Sequence, residues 1–107
     1  MSTSTTLPQV IEVKVTEEQL VLGLTDGTVA AAPLDMFPIL AASTEEERRR
    51  WEIIHGGHAV RWPLIDEDIS LFSVLHPEAC IPMKADAVER HLEKVRHWRA
   101  RRARGAS

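Results

Sequence analysis

The sequence predicts an α+β fold. It should open with a three-stranded antiparallel meander, continue through short helices and a further short strand, and end in a basic helix. Three observations carry this expectation. Apolar residues alternate with polar ones over Val10–Val15 and Gln19–Leu24, the period-two pattern of half-buried strands. Asp26–Gly27 then supplies a tight-turn signal, because glycine takes up positive φ without a Cβ penalty. After Asp86 the period becomes helical, with Val88, Leu92 and Val95 on one stripe and Trp98 at its edge.

In the first strand, Ile11, Val13 and Val15 fall on one face, with Glu12 and Lys14 on the other. Leu20, Leu22 and Leu24 share a face of the second strand, and Thr16–Glu18 joins the two. Thr28–Ala32 makes the third strand, stopped by Pro33. Asp35 is placed to cap a turn holding Met36, Phe37 and Leu40, and Pro38 limits any helix there to its first turn.

Ser43 or Thr44 begins the next helix, with Glu46 or Glu47 three residues on, as in a capping box. Glu45–Glu47 complement the positive end of its dipole and Arg48–Arg50 the negative end. Glu45 with Arg49, and Glu46 with Arg50, are spaced for favourable pairing. Trp51 and Ile54 are expected to point inward from the end of this helix. Gly56–Gly57 ends it or makes a turn.

Ala59–Trp62 reads as a short strand closed by Pro63, and Asp66–Asp68 as an acidic turn. Ile69–Leu75 reads as a short helix capped by Asp68 or Ser70. Pro77 and Pro82 bracket a loop. Asp86 is placed as the N-cap of the last helix, with Glu89 at the box position and Gly105 as its stop. From Arg99 onward arginines fall on every side. That end is expected to project from the body, and deleting Trp98–Ser107 to leave folding intact.

A chain of 107 residues fits one small domain with a modest core. Its expected divisions are a disordered start (1–9), an α+β body (10–80) and a loop with a basic helix (81–107). Residues Glu89–Ser107 carry Arg90, Lys94, Arg96, Arg99, Arg101, Arg102 and Arg104 against Glu89 and Glu93. That end is about +5 and the rest about −8, within a net charge of −3. Such a split gives the basic end its own task or lets it neutralise the acidic body.

Cys80 is the one cysteine, so no internal disulfide forms and a reducing cytoplasm is the expected setting. No apolar run approaches the roughly twenty residues that span a bilayer, so no membrane partner is expected. Met1–Thr6 is Ser/Thr-rich and lacks the positive start and apolar centre of a signal peptide.

Several motifs occur in a fixed order: Asp26-Gly27, Pro33-Leu34-Asp35-Met36-Phe37-Pro38, Trp51-Glu52, Gly56-Gly57, Arg61-Trp62-Pro63 and Asp66-Glu67-Asp68-Ile69-Ser70. In that order they resemble the bacterial domain-of-unknown-function family 2442, over roughly Val10–Leu75. The resemblance implies a small α+β domain with a β-meander at the front. Some members of that family carry a C-terminal helix-turn-helix and look like transcriptional regulators. Others are thought to be encoded beside a second small protein, in an antitoxin-like arrangement. The resemblance thus implies a regulatory or partner-binding module and brings no catalytic residues. Ile81–Ser107 holds one helix, which departs from members with a complete helix-turn-helix.

Each candidate for chemistry has a plainer alternative. The run His55-Gly56-Gly57-His58 could be half of a metal site, but zinc wants a full set of about four ligands. Asp66, Asp68, His76 and Cys80 match no known spacing, and a glycine turn with solvated flanks is preferred. Asp66–Asp68 could supply paired carboxylates for acid–base work or Mg²⁺. Adjacent carboxylates usually splay apart, and helix capping is preferred. Cys80 needs a base to act as a nucleophile, and Pro77 and Pro82 separate it from His76's helical face. It reads as a small buried thiol. Ser70 lacks the glycine-flanked elbow of a nucleophile.

The strongest functional signal is the arginine-rich end: Arg96, Arg99, Arg101, Arg102 and Arg104, with Trp98 among them. Arginines neutralise phosphates, and an indole stacks on a base or on a protein surface. Five arginines within nine residues exceed what the helix dipole needs. The expected function is a small non-enzymatic interaction or regulatory module, an antitoxin-like partner of another small protein. Dimerisation through the Val88/Leu92/Val95/Trp98 stripe is a further expectation. The alternative is a nucleic-acid-binding transcriptional regulator. A metal-assisted hydrolase using His55, His58, Asp66 and Asp68 ranks third. No catalytic residue, metal or cofactor is expected.

Overall fold

Val10–Val15 (β1), Gln19–Leu24 (β2) and Val29–Pro33 (β3) form an antiparallel sheet in chain order. The computed structural model describes residues 7–105. Val13 lies opposite Leu22, and Leu22 opposite Ala30; Val15, Leu20 and Ala32 make the next such row. The Asp26–Gly27 turn forms as expected, with the Asp26 carboxylate accepting from the Thr28 amide at 2.9 Å and Gly27 at φ 85°.

One register irregularity, between Val10 and Glu12, corrects the expected facing of β1. An extra residue in one strand flips its neighbours to the opposite face, because the side-chain period is two. Val10 is therefore buried and Ile11 is 60% exposed. Residues 1–6 of the expected disordered start lie outside the described residues. Gln9 is tied down: its amide donates to Thr25 Oγ1 and its carbonyl accepts from the Thr25 amide, both at 2.9 Å.

After β3 comes a 3-10 turn at Leu34–Met36 and a single helical turn, Pro38–Ala41 (α1), with the proline in its first turn. Asp35 caps neither element. Glu45–Arg49 (α2) begins on a complete capping box. Thr44 Oγ1 accepts from the Glu47 amide (3.2 Å), and Glu47 Oε1 accepts from the Thr44 amide (2.8 Å). This helix is shorter than expected. Glu52–Ile54 is a strand (β4), paired with Ala59–Trp62 (β5). Two adjacent β-branched isoleucines favour the extended backbone, and pairing supplies what a further helical turn would not.

His55–Gly57 connects these strands as a tight turn with positive φ at all three residues. At Gly57 a Cβ would stand 2.5 Å from Gln9 Cβ, so this position requires glycine for space as well as for its φ of 93°. The expected acidic turn is shorter too. Asp66 alone is left-handed, with φ 50°, and Glu67–Ser70 (β6) is a strand paired with β5. The next helix therefore starts at Leu71, not Ile69. It spans Leu71–Leu75 (α3) and is capped by Ser70, whose hydroxyl accepts from the Ser73 amide at 3.1 Å. Asp68 is not the cap.

The core lies between the two sheets and the helices. Leu20, Leu22, Leu40, Val60, Trp62 and Ile65 are fully buried, and Trp51 packs against them half-buried. The Trp62 indole donates to the Arg48 carbonyl at 3.1 Å, which satisfies the one polar atom of a large apolar side chain. Ala85–Gly105 (α4) packs across α1 and the 63–65 turn. It begins at Ala85, so Asp86 sits in its first turn instead of capping it. Val95 is buried, and Val88, Leu92 and Trp98 pack beside it. His91 Nε2 donates to the Ile65 carbonyl at 2.7 Å. Among the described residues, no helix is long and apolar enough to cross a membrane.

Candidate functional site

The arginine-rich end of α4 does not project as a free cluster; two of its arginines close on Glu47. Arg99 Nε reaches Glu47 Oε2 at 2.8 Å and Arg99 Nη2 reaches Oε1 at 2.8 Å. Arg102 Nη2 reaches Oε2 at 2.7 Å. With the Thr44 amide, four donors surround a carboxylate that is 0% exposed. Burial opposes ionisation of Glu47. Hydrogen bonds from Arg99, the Thr44 amide and Arg102 outweigh it and hold the carboxyl at about 2. Arg99 also donates to the Ala42 carbonyl at 3.2 Å. The C-terminal segment is thus clasped to α2.

Arg96 and Trp98 are engaged elsewhere. Arg96 is paired along the helix with Glu93 at 2.7 Å. Trp98 is half-buried against the core, with Lys94 Nζ 5.8 Å from its ring centroid. Arg101 and Arg104 are exposed. The clasp was signalled in the sequence. Val88, Leu92, Val95, Arg99 and Arg102 continue one alternating four–three spacing, so both arginines lie on the stripe that meets the body.

A second set of charges sits at β6. Arg61 spans Asp68 (2.8 Å) and Asp66 (3.0 Å), and these hydrogen bonds raise the guanidinium above its ordinary value. Glu67 lies between the two aspartates in sequence and has no such cation. Burial first, then the negative charges of Asp68 and Asp66, push its carboxyl up to about 7.

Glu67 lines an open groove of about 410 Å³. One wall is Asp35–Pro38 and another is Glu67–Ile69; Ser73 and residues 80–83 complete it. Met36, Phe37, Ile69 and Met83 make it largely apolar. Among the described residues, its charged lining is Asp35, Glu67 and Asp68, all carboxylates. At the rim, Ile81 is 93% exposed and Met83 43% exposed. Two of its walls, Asp35–Pro38 and Glu67–Ile69, fall within motifs that carry the family resemblance, but nothing local in the sequence shows that they meet.

The remaining candidates are turns and contacts. His55 and His58 flank the glycine turn and are exposed. Among the described residues, no group of three His, Cys, Asp or Glu side chains is gathered to hold a metal. Cys80 is half-buried, less enclosed than expected. Its thiol is directed at the Ser73 and His76 carbonyl oxygens, 3.7 and 3.8 Å away.

No curated protein matches this chain. Among solved structures, the fold is similar to the crystal structure of a protein of unknown function from Rhodospirillum rubrum. The TM-score is 0.61 at 18% identity, over 78% of this chain and 99% of that one. The family model described as "Protein of unknown function (DUF2442)" matches residues 10–79, which hold both sheets, α1 to α3 and most of the groove's walls. The helix α4 lies outside that span. The chain belongs to the DUF2442 family.

Proposed function

We propose that this protein is a small non-enzymatic interaction module, and that a second small protein docks a segment of its chain into the groove beside Glu67. The make-up of the groove carries this proposal. A contiguous apolar patch left open to water marks an interaction surface, and here Ile81, 93% exposed, and Met83, 43% exposed, adjoin a concavity also lined by Met36, Phe37 and Ile69. Methionines adapt their shape to a partner at low cost. The groove is also held on a rigid frame, because β6 is paired to β5 and the Leu34–Met36 turn is buried through Leu34.

The side chains of the groove support binding over chemistry. The Cys80 thiol addresses carbonyl oxygens, not a base. Asp66 and Asp68 are engaged by Arg61 and do not pair with Glu67 across a reacting centre. The test is co-expression of the tagged full chain with the product of its neighbouring gene. The wild-type chain should retain that protein and Met83→Arg should lose it, since an arginine would fill the groove from an exposed position. Equal retention by both, or none by the wild-type chain, overturns the proposal.

One observation favours a second reading, nucleic-acid binding along α4. Arg90, Lys94, Arg96 and Arg101 stay exposed on a helix of 21 residues. Asp86 and Glu93 already pair with Arg90 and Arg96, at 3.1 and 2.7 Å, which weakens the positive face. Binding of this kind would fall steeply with salt, and Lys94→Ala with Arg101→Ala would flatten the slope. No shift of DNA or RNA at low salt removes it.

A further inference from the structure

Taking the groove as the docking site, we propose that its occupant is a partner segment anchored by a lysine or arginine set between apolar residues. The charged head is received between Asp35 and Glu67. The stem and the neighbouring side chains lie along Met36, Phe37 and Met83.

Three observations lead to this chemistry. First, the charged lining is of one sign: carboxylates line the groove, and among the described residues no Lys, Arg or His does. A negative occupant is repelled, and a neutral one must desolvate these groups without compensation. Secondly, the nearby cation is already committed. Arg61 holds Asp66 and Asp68, and no cation pairs with Asp35 or Glu67 among the described residues. Thirdly, an apolar wall beside a carboxylate suits a side chain with a long methylene stem and a charged tip, which covers apolar surface while its head reaches the charge.

Protonation of Glu67 then becomes part of recognition. Below about 7 its carboxyl carries a proton. A cationic head favours the ionised form, so docking expels that proton and affinity rises with pH until Glu67 is ionised unaided. The groups around it are Asp66 and Asp68 on the same segment, Arg61 on β5, Asp35 on the opposite wall and the Cys80 thiol. His91 of α4 is turned to the Ile65 carbonyl, and His76, after α3, lies 3.5 Å from Glu78.

The test uses three synthetic peptides of equal length, acetyl-Leu-Val-X-Phe-Val-amide, with X as lysine, norleucine or glutamate. Their binding to the full chain is measured by calorimetry at pH 5.5 and pH 8, with Glu67→Gln and Met83→Arg as variants. At pH 8 the lysine peptide should bind the wild-type chain about tenfold tighter than the norleucine peptide, with the glutamate peptide weakest. That preference should shrink to about twofold at pH 5.5 and in Glu67→Gln. Equal binding of lysine and norleucine peptides, lost in Met83→Arg, overturns the cationic anchor and leaves the groove as a docking site. Binding that Met83→Arg does not change overturns both. No binding of the lysine peptide at millimolar concentration overturns the anchor, while retention of the co-expressed partner still judges the groove.

Discussion

Glu47 is buried and Glu67 half-buried, and their carboxyls shift in opposite directions. Glu47 receives four hydrogen bonds from Arg99, Arg102 and the Thr44 amide, and its carboxyl falls to about 2. Glu67 has aspartates on either side and no cation of its own, and its carboxyl rises to about 7. Burial raises both; the partners decide the outcome. The compensated carboxylate holds the fold together. The other has one backbone hydrogen bond, from Asp68, and no cation, and it lines an open, largely apolar groove. Residues whose ionisation is strongly disfavoured in a concave site are where binding sites are found.

The largest effect is expected from removing the clasp whole. Ending the chain after His97 deletes Arg99 and Arg102 and the packing of Trp98. It should cost about 4 kcal/mol in urea unfolding. A truncated protein as stable as the full chain would show that α4 is not fastened through Glu47. The sequence alone led to the opposite expectation, a dispensable tail.

Glu47→Gln is the milder form of the same test. It keeps the shape and removes the charge that Arg99 and Arg102 face. Both arginines remain about one-third exposed and can recover water, so the expected loss is about 3 kcal/mol at pH 7. The pH dependence follows from the depressed carboxyl. Its stabilisation is complete above the ordinary value of 4.5 and is lost as pH falls towards about 2. Wild-type and Glu47→Gln proteins should therefore converge in stability in strong acid, and parallel curves across that range would refute the assignment.

Much of this contrast could be read along the chain, and the part that could not has physical causes. The Thr44/Glu47 box is local chemistry, and the four–three spacing through Val88, Leu92, Val95, Arg99 and Arg102 is a local period. Together they contain the clasp, although arginines on every side of a helix end look like solvent exposure. The bulge at Ile11 was not legible, because Val10 and Ile11 are both apolar and either could begin the alternation; the pairing with β2 decides which one is buried. Glu52–Ile54 was drawn into the preceding helix by its charged, helix-favouring neighbours, and strand pairing with β5 overrode that preference. The groove was the least legible feature. It exists only where residues 35–38, 67–69 and 80–83 meet.

Glu67→Gln is expected to act with the opposite sign. The folded-state carboxyl is raised, so wild-type stability falls as pH rises from 4.5 towards about 7 and stays lowered above that. Glutamine carries no charge into the groove. The variant should be about 2 kcal/mol more stable than the wild-type chain at pH 8, a figure discounted because the side chain is only half-buried. Near pH 4 the two should match. Thermal unfolding at the two pH values reads the difference, and a variant less stable at pH 8 would mean that Glu67 is a compensated structural carboxylate like Glu47. Stability lost to an uncompensated group in an open site is the usual mark of a residue kept for binding.

The smallest effect separates the two causes that raise Glu67. Burial acts first, and the charge on Asp68 is the larger of the two like-charge contributions. Asp68→Asn removes that charge and leaves the groove's apolar walls in place. It also releases one arm of Arg61, whose guanidinium still holds Asp66 at 3.0 Å. The Glu67 carboxyl, followed by carbon-detected NMR titration, should then move down by a fraction of a pH unit and remain well above the ordinary value of 4.5. A full return to that value would make the raised carboxyl a product of its charged neighbours. A value that stays high assigns it to the groove itself, and the desolvation that raises it is then the same property that makes a cationic, apolar-flanked segment the best occupant.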